Sequence, residues 1–203
     1  MISRTNYTIW IGLFLIAALV TLATKYYFYF PGDVAVERRV QSLLPANLNW
    51  AEAVSRTAEF PWVLLILVII FAFSWGLAGW RVAFLSILSL LGMWVLGALL
   101  GPVIARPRPS PELVRVFRPL SGHSFPSLFA LRYAATFGFL AVLAAMKSSG
   151  SLRFGLLTVC GALLVLGFVA RVALAAHWPS DVIISYYLGL LWAAFLIRFA
   201  PLA

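Results

Sequence analysis

Six long apolar stretches constrain this chain more than any other feature of its sequence. They cover residues 9–30, 61–76, 82–105, 128–146, 154–176 and 182–200. A hydrocarbon core about 30 Å thick is crossed by about 20 apolar residues in an α-helix, a length that these stretches have or approach. Inside lipid, a helix satisfies its own backbone hydrogen bonds. The sequence therefore predicts an all-α fold, a polytopic membrane helix bundle with six transmembrane helices in a single membrane domain over residues 1–203.

Composition argues against other classes of protein. The 203 residues are 64% hydrophobic and 10% charged, whereas soluble domains average about 45–50% apolar and about 25% charged residues. A soluble globular protein and a disordered chain are therefore close to excluded. The one cysteine, Cys160, rules out an intramolecular disulfide and a cysteine-cluster metal site. No clear cleavage site follows the first stretch, which favours an uncleaved helix over a signal peptide.

Residues 33–60 form the one long polar segment. Its valines and leucines alternate with charged residues at roughly helical spacing, the pattern of a short amphipathic helix in the membrane interface. The alternative is a solvated loop. We expect the interfacial helix, placed directly after the first span.

The distribution of charge predicts the orientation. Six spans place both chain ends on one side of the membrane, and that side carries no acidic residue. Its basic residues are Arg4, Arg81, Lys147, Arg153 and Arg198. Because short basic loops mark the cytoplasmic side, we expect cytoplasmic termini in a bacterial inner membrane. The active site would then lie on the periplasmic or outer face.

The net charge of +9 also includes arginines that this orientation does not explain. Arg106, Arg108, Arg115 and Arg118 lie in one loop on the opposite face, and both histidines of the chain lie in loops of that face. Arginine forks match phosphate oxygens, so the pattern predicts an anion site. Nucleic acid is not the expected partner, because these arginines sit at a membrane face between spans.

His177 and Asp181 are four residues apart, so that the carboxylate could orient the imidazole. Arg171 lies in an apolar run, where an unpaired charge costs at least about 2.5–3.5 kcal/mol, and a buried partner or anion is therefore expected. Arg132 has two alternatives, a snorkelling surface charge or a functional residue. Two histidines, one aspartate and several arginines predict phosphoryl transfer through a phosphohistidine, with no metal and no cofactor.

The sequence Ala170-Arg171-x5-His177-x3-Asp181 resembles the third motif, Ser-Arg-x5-His-x3-Asp, of the type 2 phosphatidic acid phosphatase family of integral membrane lipid phosphatases. Ala170 replaces the serine of that motif. The resemblance covers about residues 60–200, and the layout of six spans with all motifs on one face is also similar to the family.

The other two motifs depart further from the family pattern. Arg108-Pro109 matches the end of Lys-x6-Arg-Pro, but Gly101 occupies the lysine position. For the middle motif, Pro-Ser-Gly-His, two registers remain open. Ser121-Gly122-His123 keeps the histidine and loses the proline. Alternatively, Ser124-Phe125-Pro126-Ser127 matches the start of the motif, and Leu128-Phe129 replaces Gly-His.

The resemblance implies a role for each matching residue. His177 would be the nucleophile, Asp181 the group that orients it, and His123 the general acid. The candidate phosphate-binding residues are Arg106, Arg108, Ser121, Gly122, Ser127 and Arg171.

The sequence therefore predicts a lipid phosphatase acting on a polyprenyl diphosphate, phosphatidic acid or phosphatidylglycerol phosphate type of substrate. The alternative is a catalytically weakened or inactive relative that binds lipid phosphates as a carrier, scaffold or regulator. A channel or transporter is less favoured, because the charges cluster at one interface rather than at the midplane.

Overall fold

The computed structural model describes the backbone of residues 4–199 and the side chains of residues 7–198. This part of the chain consists of eight helices and contains no strand. They are α1 (Arg4–Tyr26), α2 (Asp33–Leu43), α3 (Asn49–Thr57), α4 (Trp62–Ala78), α5 (Trp80–Ile104), α6 (Leu128–Lys147), α7 (Gly150–Ala173) and α8 (Pro179–Phe199). The predicted all-α fold is confirmed.

The six predicted spans correspond to α1, α4, α5, α6, α7 and α8. Five of these helices are long and apolar enough to cross a membrane. The sixth, α4, has 17 residues and follows α3 after a bend of 59°. The fifth span begins at Gly150 rather than 154 and ends at Ala173 rather than 176, because residues 174–178 form the turn that carries His177.

The chain direction of the spans separates two faces of the bundle. Residues 105–127, the 174–178 turn and the helices α2 and α3 lie on one face. The short connections at Gly79 and at Ser148–Ser149 lie on the other face, together with the start of α1 and the end of α8. Both histidine-bearing loops are therefore neighbours, as the sequence predicts.

The polar segment after α1 forms two helices, α2 and α3, where the sequence predicts one. They pack onto the end of α7, where Leu48 and Ala51 contact Ala170 and Ala173 in an apolar cluster. The Gln41 side chain donates hydrogen bonds to the carbonyls of Arg115 and Ala173. This segment is therefore a packed part of the bundle face.

Helix α6 lies at the centre of the bundle and contacts α5, α7 and α8. Its closest neighbour is α8: a Cβ atom placed on Gly189 would lie 2.5 Å from the Cβ atom of Ala134. A π-helical turn, Ala134–Gly138, interrupts α6 at this contact. The close approach holds α6 against α8, and both helices begin at the histidine-bearing loops.

Candidate active site

A cavity of about 440 Å³ opens on the face that carries both histidines. Its walls come from the junction of α3 and α4, from α5, from the start of α6 and from the two loops. The charged and polar residues that line it are Ser55, Glu59, Arg108, Ser121, His123, Arg132, Arg171 and His177. The lining thus contains three guanidinium groups and one carboxylate, so the cavity has an excess of positive charge suited to an anion.

His177 lies in the turn between α7 and α8, and its side chain is buried. The Nδ1 atom is 2.5 Å from the backbone carbonyl oxygen of Ser124. A carbonyl oxygen only accepts hydrogen bonds, so we assign the proton to Nδ1, which leaves a lone pair on Nε2. Nε2 forms no hydrogen bond with the residues that the structure describes, and the residue lines the cavity.

The surroundings of His177 also keep it uncharged. Burial lowers its pKa well below the usual value, and the positive charges of Arg171 and Arg108 lower it further. The hydrogen bond to Ser124 acts in the opposite direction and is the smaller effect. A neutral imidazole with a free Nε2 lone pair is the reactive form of a histidine nucleophile.

Asp181 forms no hydrogen bond with the imidazole, in contrast to the sequence-based expectation. Its Oδ2 atom accepts hydrogen bonds from the Ser124 hydroxyl, at 2.5 Å, and from the Trp178 backbone N–H, at 3.2 Å. Its Oδ1 atom pairs with Arg106. The reason is local: Asp181 is the third residue of α8, where an acidic side chain reaches back to the N-cap N–H. Asp181 therefore holds Ser124, and the Ser124 carbonyl holds His177.

Arg106 lies outside the cavity, which corrects its expected role in phosphate binding. Its guanidinium is buried and forms ion pairs with Asp181 and with Asp33, the latter at 3.3 Å. It also donates to the Ser180 hydroxyl at 2.9 Å and to the Tyr27 carbonyl at 3.0 Å. With these donors already engaged, Arg106 is a structural cation that joins α2 to the start of α8.

Arg108 and Arg171 both line the cavity, as expected. Arg108 donates to the carbonyls of Ala176, at 2.5 Å, and Ser121, at 3.2 Å, and burial lowers its pKa. Arg171 donates to the Ser55 hydroxyl at 2.9 Å, and its buried Nε has no hydrogen-bond partner among the described residues. A buried N–H without a partner in a cationic cavity indicates a place for an anion.

Ser127 also lies outside the cavity. It is the N-cap of α6, where its hydroxyl accepts from the Ala130 N–H at 3.3 Å. Its own N–H donates to the Ser185 hydroxyl at 3.0 Å. Through these two bonds Ser127 caps α6 and joins it to α8. This position differs from the role of phosphate ligand that the sequence predicts.

The two registers of the middle motif occupy different places. Ser121, Gly122 and His123 lie in an exposed loop and line the cavity. His123 is beside Gly101: its Cδ2 atom would be 3.8 Å from a Cβ atom placed there. Phe129, from the other register, lies in the first turn of α6, and its ring is 5.4 Å from the Arg171 guanidinium carbon.

Sequence reasoning missed several residues that shape this site. Ser124 holds His177 through its carbonyl, Asp33 pairs with Arg106, and Ser55 contacts Arg171. Ser124 had a weak sequence signal, since it begins the Ser-Phe-Pro-Ser run. Asp33 and Ser55 had none, because they are 73 and 116 residues from their arginine partners.

Comparison with solved structures gives a similar fold. The match is the crystal structure of a transmembrane PAP2-type phosphatidylglycerolphosphate phosphatase from Bacillus subtilis, with a TM-score of 0.69. The two chains are 21% identical, and the alignment covers 94% of each. None of the curated proteins compared with this sequence matches it significantly. Together with the long apolar helices, this fold identifies an integral membrane protein.

The family comparison agrees with the resemblance of the motifs. The model of the PAP2 superfamily matches residues 78–203, which include Gly101, both histidine-bearing loops and Asp181. The matched region extends from the end of α4 through α8, and it therefore contains most of the cavity described above. The chain belongs to the PAP2 superfamily.

Proposed function

We propose that this protein is a membrane lipid phosphatase that hydrolyses a lipid phosphate or diphosphate through a phosphohistidine intermediate. One observation carries the proposal: the neutral imidazole of His177, with its Nε2 free, lines a cavity that also contains three arginines. Membership of the PAP2 superfamily and the fold of a membrane phosphatase support the same kind of activity.

In the first step, the Nε2 lone pair attacks phosphorus, and the bond between phosphorus and the leaving oxygen breaks. The leaving oxygen keeps the bonding electrons and takes a proton from His123 or from water. Arg108 and Arg171 donate hydrogen bonds to the non-bridging oxygens and stabilise their charge in the transition state. The positive charge that develops on the imidazole is stabilised by the hydrogen bond from Nδ1 to Ser124.

In the second step, water attacks the phosphorus of the phosphohistidine and the P–N bond breaks. The bonding electrons return to Nε2, so that His177 is again neutral. The water supplies the fourth oxygen of inorganic phosphate, and one of its two protons passes to His123 or to solvent. Two displacements at phosphorus thus complete the hydrolysis without a change in the protein.

The substrate reaches this cavity from the bilayer. Part of the wall is apolar and consists of Gly97, Ala98, Gly101 and Pro102 of α5 with Leu128 of α6. Candidate substrates are a polyprenyl diphosphate, phosphatidic acid and phosphatidylglycerol phosphate. The side of the bundle that carries the chain ends has basic residues and no acidic residue, which is typical of the cytoplasmic side. The cavity lies on the opposite side, and this supports a site on the non-cytoplasmic face of a bacterial inner membrane.

A second candidate function is the binding of a lipid phosphate without cleavage. Two observations favour it: Phe129 occupies the start of α6, where one register expects a histidine, and Gly101 occupies a lysine position. Loss of the leaving-group acid costs roughly 10²–10⁴ in rate. Such a relative would act as a carrier, scaffold or regulator.

Phosphate release separates the two candidates. Purified protein in detergent with EDTA is assayed against the three substrate classes, alongside His177→Ala and the matched control Arg115→Ala, which alters an exposed arginine outside the cavity. Release by the wild type and by Arg115→Ala, but not by His177→Ala, supports the enzyme. Absence of release from every substrate, with lipid-phosphate binding retained, overturns the enzyme and supports the second candidate.

A further inference from the structure

Arg132 is a cation of the cavity that the mechanism above does not use. It lies on α6, one turn after the N-cap, and its guanidinium donates to the Ala58 carbonyl at 2.8 Å. The adjacent Tyr133 hydroxyl is 2.5 Å from the Thr57 hydroxyl. Two successive residues of α6 thus attach to the end of α3, and this attachment fixes where the Arg132 side chain enters the cavity wall.

The remaining donors of Arg132 are available to a ligand. Among the residues that the structure describes, the contact with Ala58 is the one hydrogen bond of this guanidinium. The group is half-buried and lines the same cavity as Arg108, Arg171 and His177. A guanidinium has five N–H donors in a planar fork, so most of its capacity to bind an anion is unused.

The three arginines of the cavity are held by different parts of the chain. Arg108 donates to the carbonyl of Ala176, the residue before His177, and Arg171 lies on α7, six residues before His177. Arg132 comes from α6 and is held at the end of α3, by the carbonyl of Ala58. A phosphoryl group at His177 is therefore served by Arg108 and Arg171, and the unused donors of Arg132 point to a second anionic group on the substrate.

We propose that Arg132 binds a second phosphoryl group, the leaving phosphate of a diphosphate, and so determines a preference for lipid diphosphates over monophosphates. This inference rests on the proposed substrate site, but it requires binding only. A guanidinium hydrogen bond to the leaving phosphate would hold that group in place while its bond to the reacting phosphorus is broken.

Binding in a non-cleaving background tests the proposal. Farnesyl diphosphate and farnesyl monophosphate, which share one chain, are titrated against His177→Ala and against His177→Ala with Arg132→Gln. We expect the background protein to prefer the diphosphate by about tenfold or more, and Arg132→Gln to remove most of that preference. Monophosphate affinity should change less than about twofold. Arg132→Lys should retain part of the preference, because it keeps the charge and loses the fork.

The ratio of the two affinities is measured on one preparation, so partial unfolding lowers both binding amplitudes and leaves the ratio unchanged. The matched control, Arg115→Gln in the same background, changes net charge equally but lies outside the cavity. A background protein without the preference, an unchanged ratio in Arg132→Gln, or an equal weakening of both ligands would overturn the role of Arg132. Failure of the proposed hydrolysis appears separately, as absent phosphate release by the wild type.

Discussion

The Nδ1 atom of His177 lies 2.5 Å from the carbonyl oxygen of Ser124, and the hydroxyl of the same serine donates to Asp181. Ser124 therefore connects the candidate nucleophile to the carboxylate that sequence spacing pairs with it. The carboxylate positions the loop, and the loop positions the imidazole. This order of contacts leads to different expectations for each residue.

Asp181→Asn should reduce stability more clearly than it changes the chemistry. The buried Arg106 would lose one of its two carboxylate partners, and breaking a buried pair costs about 3 kcal/mol. The Ser124 carbonyl would still bind Nδ1. We expect a lower thermal unfolding temperature in detergent, with kcat of the folded fraction reduced by about 10²-fold or less, the effect of a small displacement of the imidazole. A loss of about 10⁴ in kcat at unchanged unfolding temperature would instead indicate direct orientation of His177 by the carboxylate.

The low pKa of His177 predicts that the ionisation of His177 does not change kcat/KM in mild acid. Because the folded group stays neutral well below its ordinary pKa of 6.5, kcat/KM should show no titration of His177 as the pH falls from 8 to 6.5. The unfolded chain binds a proton at that pKa and the folded chain does not, so the contribution of His177 to stability should fall as the pH drops below about 6.5. A midpoint of kcat/KM near 6.5 that is retained in His123→Gln would contradict this expectation.

The contribution of Glu37 to stability should depend on pH in the opposite direction to that of His177. This buried carboxyl has no hydrogen-bond partner among the described residues, and burial raises its pKa from 4.5 to about 9. The folded chain then holds a proton that the unfolded chain releases, so stability is lost as the pH rises from 4.5 towards 9. Glu37→Gln should unfold at a higher temperature than the wild type at pH 8, and the difference should vanish near pH 4.5. Equal melting curves at pH 8 would refute it.

His123→Ala tests the register of the middle motif in which Ser121-Gly122-His123 supplies the general acid. If His123 protonates the leaving oxygen, its removal should lower kcat by about 10² or more for a lipid monophosphate, whose alkoxide leaves poorly. An aryl phosphate with a good leaving group should lose less than about tenfold. Equal losses on both substrates, or no loss, would remove His123 from the acid role.

The close contact of α6 and α8 should tolerate no added methyl group. Gly189→Ala would place a Cβ atom 2.5 Å from Ala134 Cβ and 3.4 Å from the Leu131 backbone oxygen, a strain of about 1–3 kcal/mol. Gly161→Ala, in α7, meets nothing within 4 Å and is the control. Thermal unfolding in detergent should show a decrease for Gly189→Ala alone, and equal unfolding temperatures would show that the helices separate easily.

The sequence by itself determined the membrane class, the helical fold and the common face of the two histidine-bearing loops. Hydropathy is a local property, and a run of about 20 apolar residues has one stable form in lipid. The count of spans then places residues 105–127 and His177 on the same side. The motif around Arg171 and His177 is also a local property, because its residues are close together in the sequence. For that reason the sequence alone was enough to point to the family.

The tertiary structure decided which of the charged residues line the cavity. Arg106 and Arg108 are two residues apart and similar in sequence context, yet Arg106 is paired with Asp33 and Asp181 while Arg108 lines the cavity. Asp33 comes from α2, 73 residues away. Whether a charged side chain is paired or lines the cavity depends on the partners that distant helices place beside it. The local sequence pattern does not specify those partners.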